Sequence, residues 1–150
     1  MGESFRDLAV WQRAIELTVE IYKLTAGFPD SERFGLTSQI RRATVSVASN
    51  IAEGYGRSTK GEYVLFLGHA RGSAAEVETQ LVIAKALGYG VPQLLGRSEK
   101  LCGEVSRMLH AMLKTLQSKP SRQIPGPSVF SPSVSSPSVP SPYIRSIEPP

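Results

Sequence analysis

Apolar and small residues recur at alternating spacings of three and four through the first 119 residues, the pattern of helices that each bury one face. Three breaks interrupt it, "AGFPDSE", "GYGRSTKGE" and "LGYGVPQ", and they divide the stretch into four predicted helices. The expected spans are about Arg6 to Thr25, Glu32 to Glu53 or a little beyond, Lys60 to Leu87 and Pro92 to Gln117. Thr59 with Glu62 has the spacing of a capping box for the third helix, and Pro92 suits the first position of the fourth. Connections this short join antiparallel neighbours, so the expected fold is all-α, an antiparallel up-and-down four-helix bundle.

Each helix then suggests a core side. Helix 3 offers Phe66, Ala70, Ser73, Val77, Gln80, Ala84 and Leu87; helix 4 offers Leu94, Ser98, Leu101, Val105, Met108, Met112 and Thr115. Helix 1 has two stripes, Leu8, Trp11, Ile15, Thr18 and Tyr22 on one side and Val10, Ala14, Leu17, Ile21 and Leu24 on another. Its charges, Arg13, Glu16, Glu20 and Lys23, are confined to an arc of roughly 80° at 100° per residue. That is more apolar surface than one side of a bundle requires, and it points to self-association. The residues expected to meet a second copy are Val10, Ala14, Leu17, Ile21 and Leu24, with Val45, Ala48 and Ala52 of helix 2.

Helix 2 is built of weak helix formers, "SQIRRATVSVASNIAEGYGR" over residues 38–57. Its core side is expected to be Leu36, Ile40, Val47, Ile51 and Tyr55. A polar strip of Arg42, Ser46, Ser49, Asn50, Glu53 and Arg57 lies opposite, beside a strip of Arg41, Val45, Ala48 and Ala52. Gly68, Gly72, Ala75 and Thr79 on helix 3 form a matching small line, so these residues read as a device for close helix packing, within the protomer or between protomers. Gly54 and Gly56 are expected to end the helix.

Composition changes at Pro120, after which Pro and Ser dominate and Pro-Ser-Val recurs at 127, 132 and 137. Residues 120–150 read as a disordered tail outside the 1–119 bundle. The single cysteine, Cys102, leaves no intramolecular disulfide and suits the reducing cytoplasm. No segment has the length and apolarity of a membrane span, the amino terminus lacks a signal-like apolar run, and Arg6 stands where a myristoylation signal needs Ser or Thr.

The motifs "FRDLAVWQRAIEL", "SQIRRATVSVASNIAEGYGR" and "GSAAEVETQLVIAKALGY", in that order, resemble the 23S rRNA-intervening sequence protein family over about residues 5–117. That family is related in fold to the accessory variability determinant of diversity-generating retroelements, a basic ring that binds nucleic acid and a reverse transcriptase. The resemblance implies a self-assembling bundle, a homopentamer, with no known catalytic residues. Ala48 stands where the family often has proline, and His69 and Thr44 where apolar residues are common.

The chemistry agrees with a non-catalytic chain. The paired Glu-x-x-His of di-iron bundles is absent, and the only histidines are His69 and His110. Glu76 and Glu78 point apart on a helix, and Cys102 lies about 12 Å along the axis from His110. "GYGRSTKGE" lacks a nucleotide-binding ending. No metal, cofactor or catalytic residue is expected. Seventeen Lys and Arg against 13 Asp and Glu leave a net charge of +4. The set Arg41, Arg42, Arg57, Lys60 and Arg71 is the candidate for RNA or DNA phosphates, multiplied by assembly. The alternative is a purely structural or protein-binding assembly.

Overall fold

The computed structural model describes residues 4–118, so the expected Pro/Ser-rich tail lies outside the described residues. Four α-helices follow in order: α1 (Ala9–Thr25), α2 (Leu36–Tyr55), α3 (Lys60–Leu87) and α4 (Pro92–Ser118), with short 3-10 turns at Phe5–Asp7 and Asp30–Glu32. Each helix packs on two others, α1 and α3 both lying against α2 and α4. Cross-helix pairs descend in one partner as they rise in the other, as when Ser46 meets Ser73 and Gly54 meets Phe66, so the bundle is antiparallel. No helix among the described residues is long and apolar enough to cross a membrane.

The helix ends follow local chemistry. Thr59 caps α3 by accepting the Glu62 N–H, while the Glu62 carboxylate takes the Thr59 hydroxyl, so the expected box closes through the side chains. Gly88, in the left-handed region at φ 71°, ends α3, and Pro92 opens α4. Helix 2 begins later than its pattern suggests, because Gly35 is not helical and the chain before it folds into a 3-10 turn. The Glu32 carboxylate, 2.8 Å from the Leu36 N–H, then caps α2 from outside. Helix α2 runs through Gly54 to Tyr55, and Gly56, one of the two glycines expected to end it, is its C-cap.

The core corrects the stripes. Val10, Ala14, Leu17, Ile21 and Leu24, and Ala48 of α2, expected at a subunit interface, are buried within the single chain. The first five are the residues α1 turns toward the bundle axis, and the surplus apolar surface is on the side of the other stripe, where Ile15 and Tyr22 are exposed, as is Val19 beside them. On α3 the expected Ala70, Val77, Gln80 and Ala84 are buried, but so are Leu67, Ala74 and Leu81, which turns the core face round the helix; Phe66 and Ser73 are half-buried and Leu87 is exposed. On α4 the buried set is Leu95, Ser98, Cys102, Val105, Leu109 and Leu113, with Leu94, Leu101, Met108 and Met112 at its margins and Thr115 exposed. Thr44 is fully buried, its hydroxyl donating to the Ile40 carbonyl at 2.6 Å.

Close packing in helix 2 is real but differently placed. Of the polar strip, Ser46 and Asn50 are half-buried, with Ser46 Oγ 2.9 Å from Ser73 Oγ of α3, while Arg42, Ser49, Glu53 and Arg57 are exposed; a Cβ on Gly54 would come within 2.7 Å of Phe66 Cβ. Gly68 and Gly72 do not join that seam, since a Cβ on either would meet nothing within 4 Å. The small line of α3 faces outward.

Cys102 sits in the core with its Sγ 3.5 Å from the Ala74 carbonyl oxygen. Burial, then the Glu78 charge, push its thiol up from 9.0 to about 11, against a hydrogen bond with Ser106. Ionisation alone should therefore slow a thiol reagent at pH 8 about a hundredfold relative to the urea-unfolded chain. A native rate equal to the unfolded rate would show an open thiol. Because the unfolded thiol ionises first, stability should also fall as pH rises from 9 toward 11, and urea midpoints of Cys102→Ala should lack that part of the fall.

Candidate nucleic-acid interface

Where α2 begins, three arginines meet. The 3-10 turn and the break at Gly35 bend Arg33 back toward Arg41 and Arg42, and the three line one open pocket of about 690 Å³ with Tyr22, Phe34, Thr37, Ser38, Val45 and Ser46. Arg41 is largely committed to structure. Its Nε donates to Thr25 Oγ1 at 2.8 Å, its guanidinium lies 4.4 Å from the Tyr22 ring centroid, and it also reaches the Tyr22 carbonyl at 3.5 Å. A cation at the C-terminal carbonyls of α1 is favourably placed against the helix dipole. Arg42 makes no ion pair or hydrogen bond among the described residues, although Glu76 lies across a neighbouring hollow that Arg42 also lines. The Arg33 guanidinium lies over the Phe34 ring, 5.4 Å from its centroid.

The remaining expected cations are elsewhere. Arg57 lies two residues past the last residue of α2, near the opposite end of that helix from Arg42. It is held by Glu53 at 2.6 Å and by the Phe66 ring at 4.6 Å. Lys60 opens α3 beyond that end, and Arg71 stands exposed on α3. The five therefore do not form one patch. Arg33, Phe34, Tyr22 and Ser38 were missed because an unbroken helix from Glu32 would carry Arg33 about 12 Å along the axis from Arg41; Gly35 directly before Leu36 was the available signal.

Beside the pocket, and sharing Val45 with it, runs an apolar groove of about 320 Å³ between α1 and α2. Trp11, Ile15 and Thr18 form one wall, Val45, Ala48 and Ala52 the other, and Phe5 closes the end against Trp11. On α3, diagonally across the bundle from α1, Leu65, Gly68, Gly72, Ala75, Thr79 and Val82 form an outward stripe spaced by three and four. His69 is exposed beside this stripe, its ring meeting Phe66 edge-on at 5.8 Å. Among the described residues no three His, Cys, Asp or Glu side chains are grouped to hold a metal ion.

Residues 6–111 match the family described as 23S rRNA-intervening sequence protein. The chain belongs to that family. A solved structure from Bacteroides thetaiotaomicron, described as a protein with unknown function from the S23 ribosomal protein family, superposes with a TM-score of 0.64 at 22% identity. The match covers 71% of this chain and 99% of that one, and at this identity it speaks for the fold. No curated protein matches the chain. As a 23S rRNA-intervening sequence family bundle, the chain sets three arginines of the motif "RFGLTSQIRR", residues 33–42, around one pocket.

Proposed function

We propose that this chain is a non-catalytic, self-assembling four-helix bundle of the cytoplasm that holds RNA or DNA by the phosphate backbone. The observation that carries the nucleic-acid part is the convergence of Arg33, Arg41 and Arg42 on one open pocket, with Arg42 uncompensated by an ion pair among the described residues. Phosphates need cations without strict spacing, and their binding releases counterions. Assembly is supported by two unlike apolar surfaces, the α1/α2 groove and the outward stripe of α3. Unlike surfaces on different sides of a subunit join head to tail, and such contacts make a ring when the rotation between subunits closes. The five-subunit ring implied by the family resemblance is the expected closure, and it repeats the arginine pocket around an axis. The buried, unpaired Cys102 suits a reducing compartment.

The test is a salt titration of RNA and DNA binding. Affinity should fall steeply with salt, and Arg33→Gln and Arg42→Gln should each lower the log–log slope by about one. Arg57→Gln, already neutralised by Glu53, should lower it less. Absence of binding at low salt removes the nucleic-acid reading and leaves a structural or protein-binding assembly, which the exposed α3 stripe would favour.

A further inference from the structure

Phe34 is 89% exposed, more than any other large apolar side chain described. Nothing in the bundle gains from that exposure, yet the residue is not on a loose loop. The turn that carries it is tied by Arg33 N–H to the Asp30 carbonyl at 3.1 Å and Gly35 N–H to the Glu32 carbonyl at 2.9 Å. It is tied again by the Glu32 carboxylate to the Leu36 N–H at 2.8 Å. Gly35 is needed for that last bond, because a Cβ there would stand 2.8 Å from the Glu32 oxygen. The hydrogen-bonded turn thus displays Phe34, with the Arg33 guanidinium 5.4 Å from its ring centroid, in the same pocket as Arg42, Thr37 and Ser38. An aromatic platform next to cations is what an unpaired nucleotide requires: the base stacks, and the flanking phosphates find the guanidiniums. A duplex hides its base faces and can use only the cations. The pocket volume, about 690 Å³, is in the range of sites that take a small molecule the size of a nucleotide.

We infer that the pocket at the start of α2 selects single-stranded nucleic acid, stacking one unpaired base on Phe34 with its phosphates on Arg33 and Arg42. The inference rests on the phosphate-binding reading above and adds the strandedness and the stacking residue to it. The Glu32 carboxylate beside the pocket is engaged by the Leu36 N–H at the start of α2.

The full chain should be titrated with a 12-nucleotide RNA, the same sequence as DNA, and the corresponding duplexes, with a fluorescent 2-aminopurine in one strand. Single strands should bind about tenfold more tightly than duplexes, with 2-aminopurine quenched on binding. Phe34→Ala should lose about that factor on single strands and leave duplex affinity unchanged, and Phe34→Trp should retain both the preference and the quenching. RNA and DNA strands binding alike would place recognition in base and phosphate, as inferred. Equal affinity of wild type and Phe34→Ala for single strands would overturn the stacking role while leaving backbone binding intact. So would an equal loss on duplexes, or a fall in light-scattering mass, which would mark Phe34 as a subunit contact. If neither strands nor duplexes bind at low salt, the broader reading fails and takes this inference with it.

Discussion

Leu17→Ala should lower the unfolding free energy by about 3 kcal/mol, and Ile15→Ala, two positions earlier, by less than about 1 kcal/mol. Leu17 is completely enclosed among the four helices, whereas Ile15 is 37% exposed on the groove between α1 and α2. Truncating an enclosed leucine loses both its transfer free energy and the contacts around the cavity left behind. At Ile15 the removed methyls were already partly in water. Urea unfolding of the two variants, at one dilute protein concentration so that assembly does not enter the comparison, gives the difference directly. Equal losses would mean that α1 is rotated from the orientation described. Ile15→Asp extends the test to assembly: light scattering should show a smaller particle while circular dichroism keeps its helical signal. An unchanged mass would take the α1/α2 groove out of the interface.

Gly54→Ala should cost about 2 kcal/mol, against the usual gain of up to about 1 kcal/mol when alanine replaces glycine inside a helix. The new methyl would lie 2.7 Å from Phe66 Cβ and 3.2 Å from the Tyr63 ring. Phe66 Cβ is fixed by the α3 backbone and cannot swing away, so the two helices would have to separate along the Ser46–Ser73 seam. Gly72→Ala is the matched control. Its methyl meets nothing within 4 Å, and the same substitution there should raise the thermal midpoint through propensity alone. If both variants shift the midpoint upward, the tight approach of α2 to α3 at Gly54 is not present in solution.

The pattern of apolar and small residues was sufficient for the number of helices and their order, because loops of a few residues leave antiparallel neighbours as the simple arrangement. Lys60–Leu87 was legible at both ends since a threonine cap and a glycine supply local hydrogen bonding that no tertiary contact needs to confirm. Pro92 marked the start of α4 for the same kind of reason. What remained ambiguous was rotation. Residues at i and i+1 on a helix differ by about 100°, and when both rows are apolar, as with Leu94/Leu95 or Phe66/Leu67, periodicity cannot choose between them. On α1 the ambiguity put the wrong row at the subunit surface.

The candidate site was legible in part. Arg41 and Arg42 stood out as adjacent cations, but their unequal roles did not: one is locked to Thr25 and Tyr22 of another helix, the other lines an open pocket. Arg33 and Phe34 joined them only through a bend at Gly35, a backbone conformation of φ −104°, ψ −116° held by hydrogen bonds around Glu32. Local chemistry along the chain thus determined which segments are helical and where two of them begin or end. Which faces meet, which glycine is a contact and which arginines converge were decided by packing, because those depend on the mutual rotation of helices whose residues are far apart in sequence.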